Sequence, residues 1–335
     1  MRTLFVVFIV SLFQLHTAAG QTDTNPGQTA TASPELAEAT RLSRDSVKLY
    51  EEKKFDAALP LAKRAVELRE KALGPDHELL ASSLNNVAGI YLATEKFGDA
   101  ESLYKRSLGI LEKKFGTESK YLLNTLESLA LTRFVQRNYG DAEKLYLRAL
   151  AIREKAFGPQ HLETARYLSF LGGFYERTNK PAKAADYYKR SLAIEEKALG
   201  PNDPDLAETL DNCACALISD EPDEAKRYQE RASKIRNSTG NDTIKQSSGL
   251  LQGSAALRVQ PEYPFEAKKN RAQGSVLVEV VVDECGRVIN ARALSGPNDL
   301  KAAAVSAARQ WRFTRTKLAR RPVKVIGTIT FNFHL

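Results

Sequence analysis

Residues 97–116 read FGDAESLYKRSLGILEKKFG, and residues 139–158 read YGDAEKLYLRALAIREKAFG. The stretches lie 42 residues apart and share Gly, Asp, Ala, Glu, Leu, Tyr, Arg, Ile and the closing Gly in register. The same step carries Phe55 to Phe97, Tyr139 and Pro181, and Ala58 to Ala100, Ala142 and Ala184. It also relates Arg64, Arg106, Arg148 and Arg190, the pairs Glu70-Lys71 through Glu196-Lys197, and Gly74, Gly116, Gly158 and Gly200. Fixed self-similarity of this length marks a repeat architecture. Within one unit Leu145, Ala149, Ile152 and Ala156 recur on one helical face. Gly158-Pro159 then stops that helix, because Gly suits the position after a helix and Pro cannot continue it. A second helix is predicted from about Leu162 to Glu176, ending near Asn179-Lys180-Pro181. Small Ala at 58, 100, 142 and 184 lets neighbouring helices approach closely. One such pair cannot bury its own apolar face, so the pairs must stack. About five pairs are predicted over residues 34–236. The last is worn: Ala225, Tyr228, Arg231 and Ile235 match Ala184, Tyr187, Arg190 and Ile194 at a step of 41.

Past a polar, Gly/Ser-rich tether at 237–256 the period changes to two. Val276, Val278, Val280 and Val282 share one face of a strand, Asp283-Glu284-Cys285-Gly286 turns the chain, and Arg287–Leu294 returns. Asn298 or Asp299 is expected to cap a helix carrying Leu300, Ala303, Ala304, Ala307, Ala308 and Trp311 on one face. In the last strand Val323, Val325, Gly327, Ile329, Phe331 and Phe333 alternate with Lys324, Thr328, Thr330 and Asn332. The fold class is therefore multi-domain: an all-α helical-repeat solenoid followed by a small α+β domain, an antiparallel sheet with a packed helix.

The first module resembles the tetratricopeptide repeat, on Phe97-Gly98-Asp99-Ala100-Glu101, Tyr104-Lys105-Arg106-Ser107-Leu108 and Gly116. Its period resembles that of the kinesin-light-chain subtype. The resemblance implies a protein-binding groove lined by the first helix of each pair. Its peptide-facing Asn position falls here on Asn86, Ser128, Phe170 and Asn212, of which two keep Asn. These side chains either hold a peptide backbone or simply face water and cap their neighbours.

Residues 257–335 are similar to the TonB C-terminal domain. The likeness rests on Pro261-x-Tyr263-Pro264-x-x-Ala267, Gly274-x-Val276, Val282-Asp283-x-x-Gly286-x-Val288, Trp311-Arg312-Phe313, Pro322-Val323 and Phe331-x-Phe333. At the position that the family usually gives to proline this chain has Arg315. The resemblance implies uptake of a partner strand, such as an outer-membrane transporter segment, along a sheet edge. The expected edge is the last strand, 323–333, showing Lys324, Thr328, Thr330 and Asn332 outward.

Met1-Arg2, the apolar run Leu4–Phe13 and the small residues Thr17-Ala18-Ala19-Gly20 read as a secretory signal over residues 1–20. A polar, disordered leader over 21–33 follows. The apolar run is little more than half the length of a spanning helix. Its alternative is an uncleaved inner-membrane anchor facing the periplasm, as an energy-transducing component of outer-membrane transport would need. At 43% hydrophobic and 27% charged the 335-residue chain is ordinary for a folded protein. Its net charge of +8 sits wholly in residues 255–335, with 14 Lys and Arg against 6 Asp and Glu. The run Arg315, Lys317, Arg320, Arg321, Lys324 reads as a solvated loop or as a surface for an anionic cell wall or membrane. Export and the lack of interleaved aromatic residues argue against nucleic acid.

No catalytic motif or cofactor fingerprint stands in the sequence, so neither enzyme activity nor a cofactor is expected. His77 and His161 occupy equivalent loop positions two repeats apart, too distant to share a metal. Three cysteines exclude a disulfide scaffold. Cys213 and Cys215 are read as buried inert thiols, and Cys285 as an exposed thiol able to pair between chains. The expected protein is an exported, non-catalytic periplasmic adaptor with two protein-binding surfaces.

Overall fold

The computed structural model describes residues 33–238, 247–250, 255–318, 321–322 and 324–334. The expected export signal, the leader through residue 32, the middle of the tether, Arg320 of the basic run and Val323 lie outside the described residues. The chain packs as two compact units, one to residue 174 with 186–200, the other 175–185 with 201 onward.

The repeats are helix pairs: α1 (Pro34–Glu51) with α2 (Phe55–Leu73), α3 (Glu78–Ala93) with α4 (Phe97–Phe115), and α5 (Leu123–Val135) with α6 (Tyr139–Phe157). Next come α7 (Leu162–Arg177) and α8 (Pro181–Leu199), then α9 (Leu206–Leu217) and α10 (Pro222–Ser238). Ala58, Ala100, Ala142 and Ala184 are fully buried, as the close helix approach requires.

One repeat position, just ahead of the first helix of four pairs, binds the amide two residues on with three kinds of side chain. His77 Nδ1 accepts the Leu79 N–H at 3.2 Å, Ser119 Oγ that of Tyr121 at 3.4 Å, and His161 Nδ1 that of Glu163 at 3.1 Å. Asp203 Oδ1 accepts the Asp205 N–H at 2.9 Å. Each satisfies a backbone amide where the chain enters the helix pair. The second helices end on Gly74, Gly116, Gly158 and Gly200, with φ of +83°, +85°, +102° and +93°. At the first two ψ is 174° and 162°, an extended region that is essentially glycine's alone.

The repeated Arg and Glu meet across neighbouring pairs. Arg106 pairs with Glu70, Arg148 with Glu112 at 2.7 Å, and Arg190 with Glu154 at 2.9 Å.

In the second unit the strands are β1 (Ser247–Leu250), β2 (Ala255–Leu257), β3 (Gly274–Val282), β4 (Val288–Ser295), β5 (Arg312–Phe313), β6 (Lys317–Leu318), β7 (Arg321–Pro322) and β8 (Val325–Phe333). The short helix α11 (Phe265–Lys269) precedes β3, and α12 (Asn298–Gln310) follows β4. The main sheet has the order β1-β8-β3-β4. Its β8-β3-β4 part is the expected antiparallel sheet, and β1 adds to it in parallel. Val276, Val278, Val280 and Val282 are buried with Leu300, Ala304, Ala307, Ala308 and Trp311 of the helical face in one core. α12 begins without the expected side-chain cap. Pro297 holds the cap position, and Asn298 instead accepts from Lys301 at 2.8 Å.

Candidate functional site

The positions equivalent to the peptide-facing Asn fall on α3, α5, α7 and α9, but their surroundings differ. Asn86 is half-buried and makes no side-chain hydrogen bond among the described residues. Its neighbour Asn85 reaches along the array instead, donating to Thr125 Oγ1 at 2.8 Å. Ser128 is half-buried, with Oγ 3.5 Å from Asn124 Oδ1. The nearby Tyr104 hydroxyl is buried, and that burial pushes its pKa well above the usual phenol range. Phe170 packs edge-on to Tyr146, with ring centroids 5.0 Å apart, and against Tyr167 at 5.4 Å. It belongs to an aromatic cluster with Phe174 and Phe134. At that position the repeat is filled from within.

Asn212 is engaged by the chain itself. Arg315, between β5 and β6, donates through Nη1 to Asn212 Oδ1, and its Nη2 lies 2.5 Å from Glu176 Oε1. The Arg315 side chain is only 17% exposed. It is therefore not part of a solvated basic loop, which corrects the sequence expectation for this residue, whereas Lys324 is exposed.

The cysteines also pair differently from the expectation. Cys215 and Cys285 form a disulfide within the chain, with Cα atoms 5.3 Å apart, and Cys213 is the buried thiol. Residues two apart on a helix point to different sides. Cys213 turns into the core of the pair while Cys215 turns out. The hairpin presents Cys285 through a fixed turn. Buried Asp283 accepts the Cys285 N–H at 3.0 Å and the Arg287 N–H at 2.8 Å through Oδ1, and holds the Arg287 guanidinium through Oδ2. The residues that bond α9 to the hairpin are separated by 70 positions, so no local pattern announces them.

The last strand keeps its expected faces. Val325, Gly327, Ile329, Phe331 and Phe333 are buried, Lys324, Thr330 and Asn332 exposed, and Thr328 half-buried. Asn332 Oδ1 accepts from Ser275 Oγ at 2.7 Å. The edge is not free along its length, which corrects that expectation. β1 pairs with it from Ser247 opposite Val325 to Leu250 opposite Thr328. The tether supplies a strand because a bare edge offers unpaired N–H and C=O groups. Among the described residues the outer edge from Ile329 to Phe333 carries no strand. No group of His, Cys, Asp and Glu able to hold a metal occurs among the described residues, and no described helix is long and apolar enough to cross a membrane.

Residues 47–113 and 121–197 match the tetratricopeptide repeat family, and residues 259–335 match the Gram-negative bacterial TonB protein C-terminal family. No curated protein matches the chain. Among solved structures, the nearly identical TPR-like repeats of a kinesin light chain candidate from Podosopora anserina are similar at 19% identity and a TM-score of 0.54. That match, like one to a variant of the same repeats, covers 61% of this chain and 97% of the other. BtubC (BKLC) from P. vanneervenii is similar at 20% identity and a TM-score of 0.44, over 64% of this chain and 95% of its own. Both matched families are generally non-catalytic scaffolds with protein partners. Helical repeat and sheet thus have their families: residues 47–113 and 121–197 are tetratricopeptide repeats and residues 259–335 a TonB C-terminal domain.

Proposed function

We propose that the protein is an exported, non-catalytic adaptor of the periplasm that holds protein partners at two surfaces, the repeat array and the edge of β8. The observation that carries this reading is β1. An extended segment already lies on the β8 edge in continuous register over four residues, which makes that edge competent for strand addition. A partner segment, such as one of an outer-membrane transporter, would take the same edge by strand addition. The repeat family adds a partner surface of its own, and the net positive C-terminal domain suits a location against the anionic cell wall.

Removing β1 tests the edge. Ser248→Pro with Gly249→Pro deletes two consecutive amides, one of which faces β8 in either strand phase. This variant should recover severalfold more partner from a Gram-negative periplasmic extract than the wild-type chain. Excess peptide of sequence 244–253 should bring recovery back down. Unchanged recovery in both arms would assign binding to the repeats instead.

A further inference from the structure

The guanidinium of Arg315 is read at two points. One nitrogen donates to the amide oxygen of Asn212 on α9, and the other meets the Glu176 carboxylate in the last turn of α7. A planar fork spans two separated acceptors in a way that the point charge of a lysine does not. Cys215 lies three residues beyond Asn212, hence on the same side of α9. Its disulfide runs to Cys285 in the β3–β4 turn. That turn grips β5, since the Phe313 N–H donates to the Gly286 carbonyl at 2.8 Å, and Arg315 is two residues further on. The links close a circle: α9, the disulfide, the turn, β5, Arg315, and α9 again.

We propose that Glu176 and Asn212 form an arginine-recognition station at the end of the repeat array, filled in the resting chain by Arg315 and kept filled by the Cys215–Cys285 bond. Its external ligand is an extended segment bearing an arginine. This station is independent of what the β8 edge binds. Tethering gives Arg315 a high effective concentration at the station, so a partner competes poorly while the circle is closed. Opening needs a dithiol reductant. The Cys215–Cys285 bond breaks, the reductant loses two electrons and two protons and leaves as a disulfide, and both cysteines become thiols. A disulfide oxidant reverses the exchange.

A fluorescent peptide of sequence 311–318, WRFTRTKL, offered in trans to the full chain, tests this. Oxidised wild-type chain should bind it at least about tenfold more weakly than the Arg315→Ala/Cys215→Ser/Cys285→Ser chain. In that opened chain, Glu176→Gln should cost about tenfold, as should alanine in the peptide at the place of Arg315, in keeping with loss of a charge-assisted bond. Dithiothreitol should strengthen binding to wild-type chain and leave the opened chain unchanged. Should the triple variant fail to fold by its helical circular dichroism, Arg315→Ala alone with dithiothreitol replaces it. The station is overturned by an opened chain that binds no tighter than oxidised wild type, by equal binding of the two peptides, or by a silent Glu176→Gln.

Discussion

At Gly286 the backbone φ is +80°, and a methyl group there would stand 2.1 Å from the carbonyl oxygen of Phe313. Two penalties therefore meet at one residue. A side chain in that conformation costs about 1–3 kcal/mol, and the β5 backbone must also retreat, at a further cost of about 1–3 kcal/mol. Gly286→Ala should lower the stability of the C-terminal sheet by about 3 kcal/mol or more in urea titration. Because the turn presents Cys285, the same variant should also lose the disulfide. Thiol labelling under non-reducing denaturing conditions should rise from one thiol per chain towards three. A variant with wild-type stability and a single thiol would show that the turn is not held as described. The sequence already marks Asp283-Glu284-Cys285-Gly286 as a turn, since those residue types favour one. It does not mark the partner of Cys285 or the burial of Arg315, because both depend on which elements meet in space. The same holds for Phe170 within the repeat. Its position in the period is legible, but whether that position faces a ligand or an aromatic core depends on Tyr146 and Tyr167 beside it.

Among the elements, the 42-residue period was legible because the same packing problem recurs in each pair. Buried Ala and terminal Gly have few substitutes, so they repeat as letters. The residues that lead into each pair do not. His77, Ser119, His161 and Asp203 fill one structural position with unlike side chains, since any short acceptor will satisfy the amide two residues on. The repeated Arg and Glu were visible as coincidences, but their pairing across 36 residues becomes evident only when neighbouring helix pairs stack. In the sheet, alternation of valines identified the buried face and predicted that Trp311 packs on it. Trp311 does more than fill that core. Its Nε1–H donates to the Val259 carbonyl at 2.8 Å, and its ring meets Phe331 edge-on at 5.4 Å. It thereby fastens the incoming chain to the sheet. Trp311→Ala should destabilise the C-terminal domain by about 3–5 kcal/mol. The expected record is an early unfolding step in urea, with the helical signal of the first unit retained to its usual midpoint. A single unshifted transition would contradict the helix-on-sheet core.

For the whole molecule, composition and packing draw boundaries in different places. Composition alone expects the tether at 237–256 to separate two modules, because its polar residues have no apolar periodicity to bury. Packing groups α9 and α10 with the sheet, and the reason is covalent as well as ionic: Cys215–Cys285 and Arg315–Glu176 both lie within the second unit. A peptide bond cut in the tether therefore leaves the sheet attached to the last helix pair. Brief chymotrypsin digestion should cut the tether after Leu251, past the end of β1 in a Gly/Ser-rich context. The products should run as two fragments with reductant and as one species of full mass without it. Cys285→Ser should give two fragments under both conditions, since the disulfide has no substitute partner but the buried Cys213 thiol on the inner side of α9. At low salt the ion pair, with β1 on β8, should still hold the Cys285→Ser fragments together through native gel filtration. High salt or Arg315→Ala should weaken that association, because either one removes the attraction between the guanidinium and the Glu176 carboxylate and leaves only β1 on β8. Two fragments in non-reducing gels of the wild-type digest would mean that the tether is the sheet's one covalent link to the repeats.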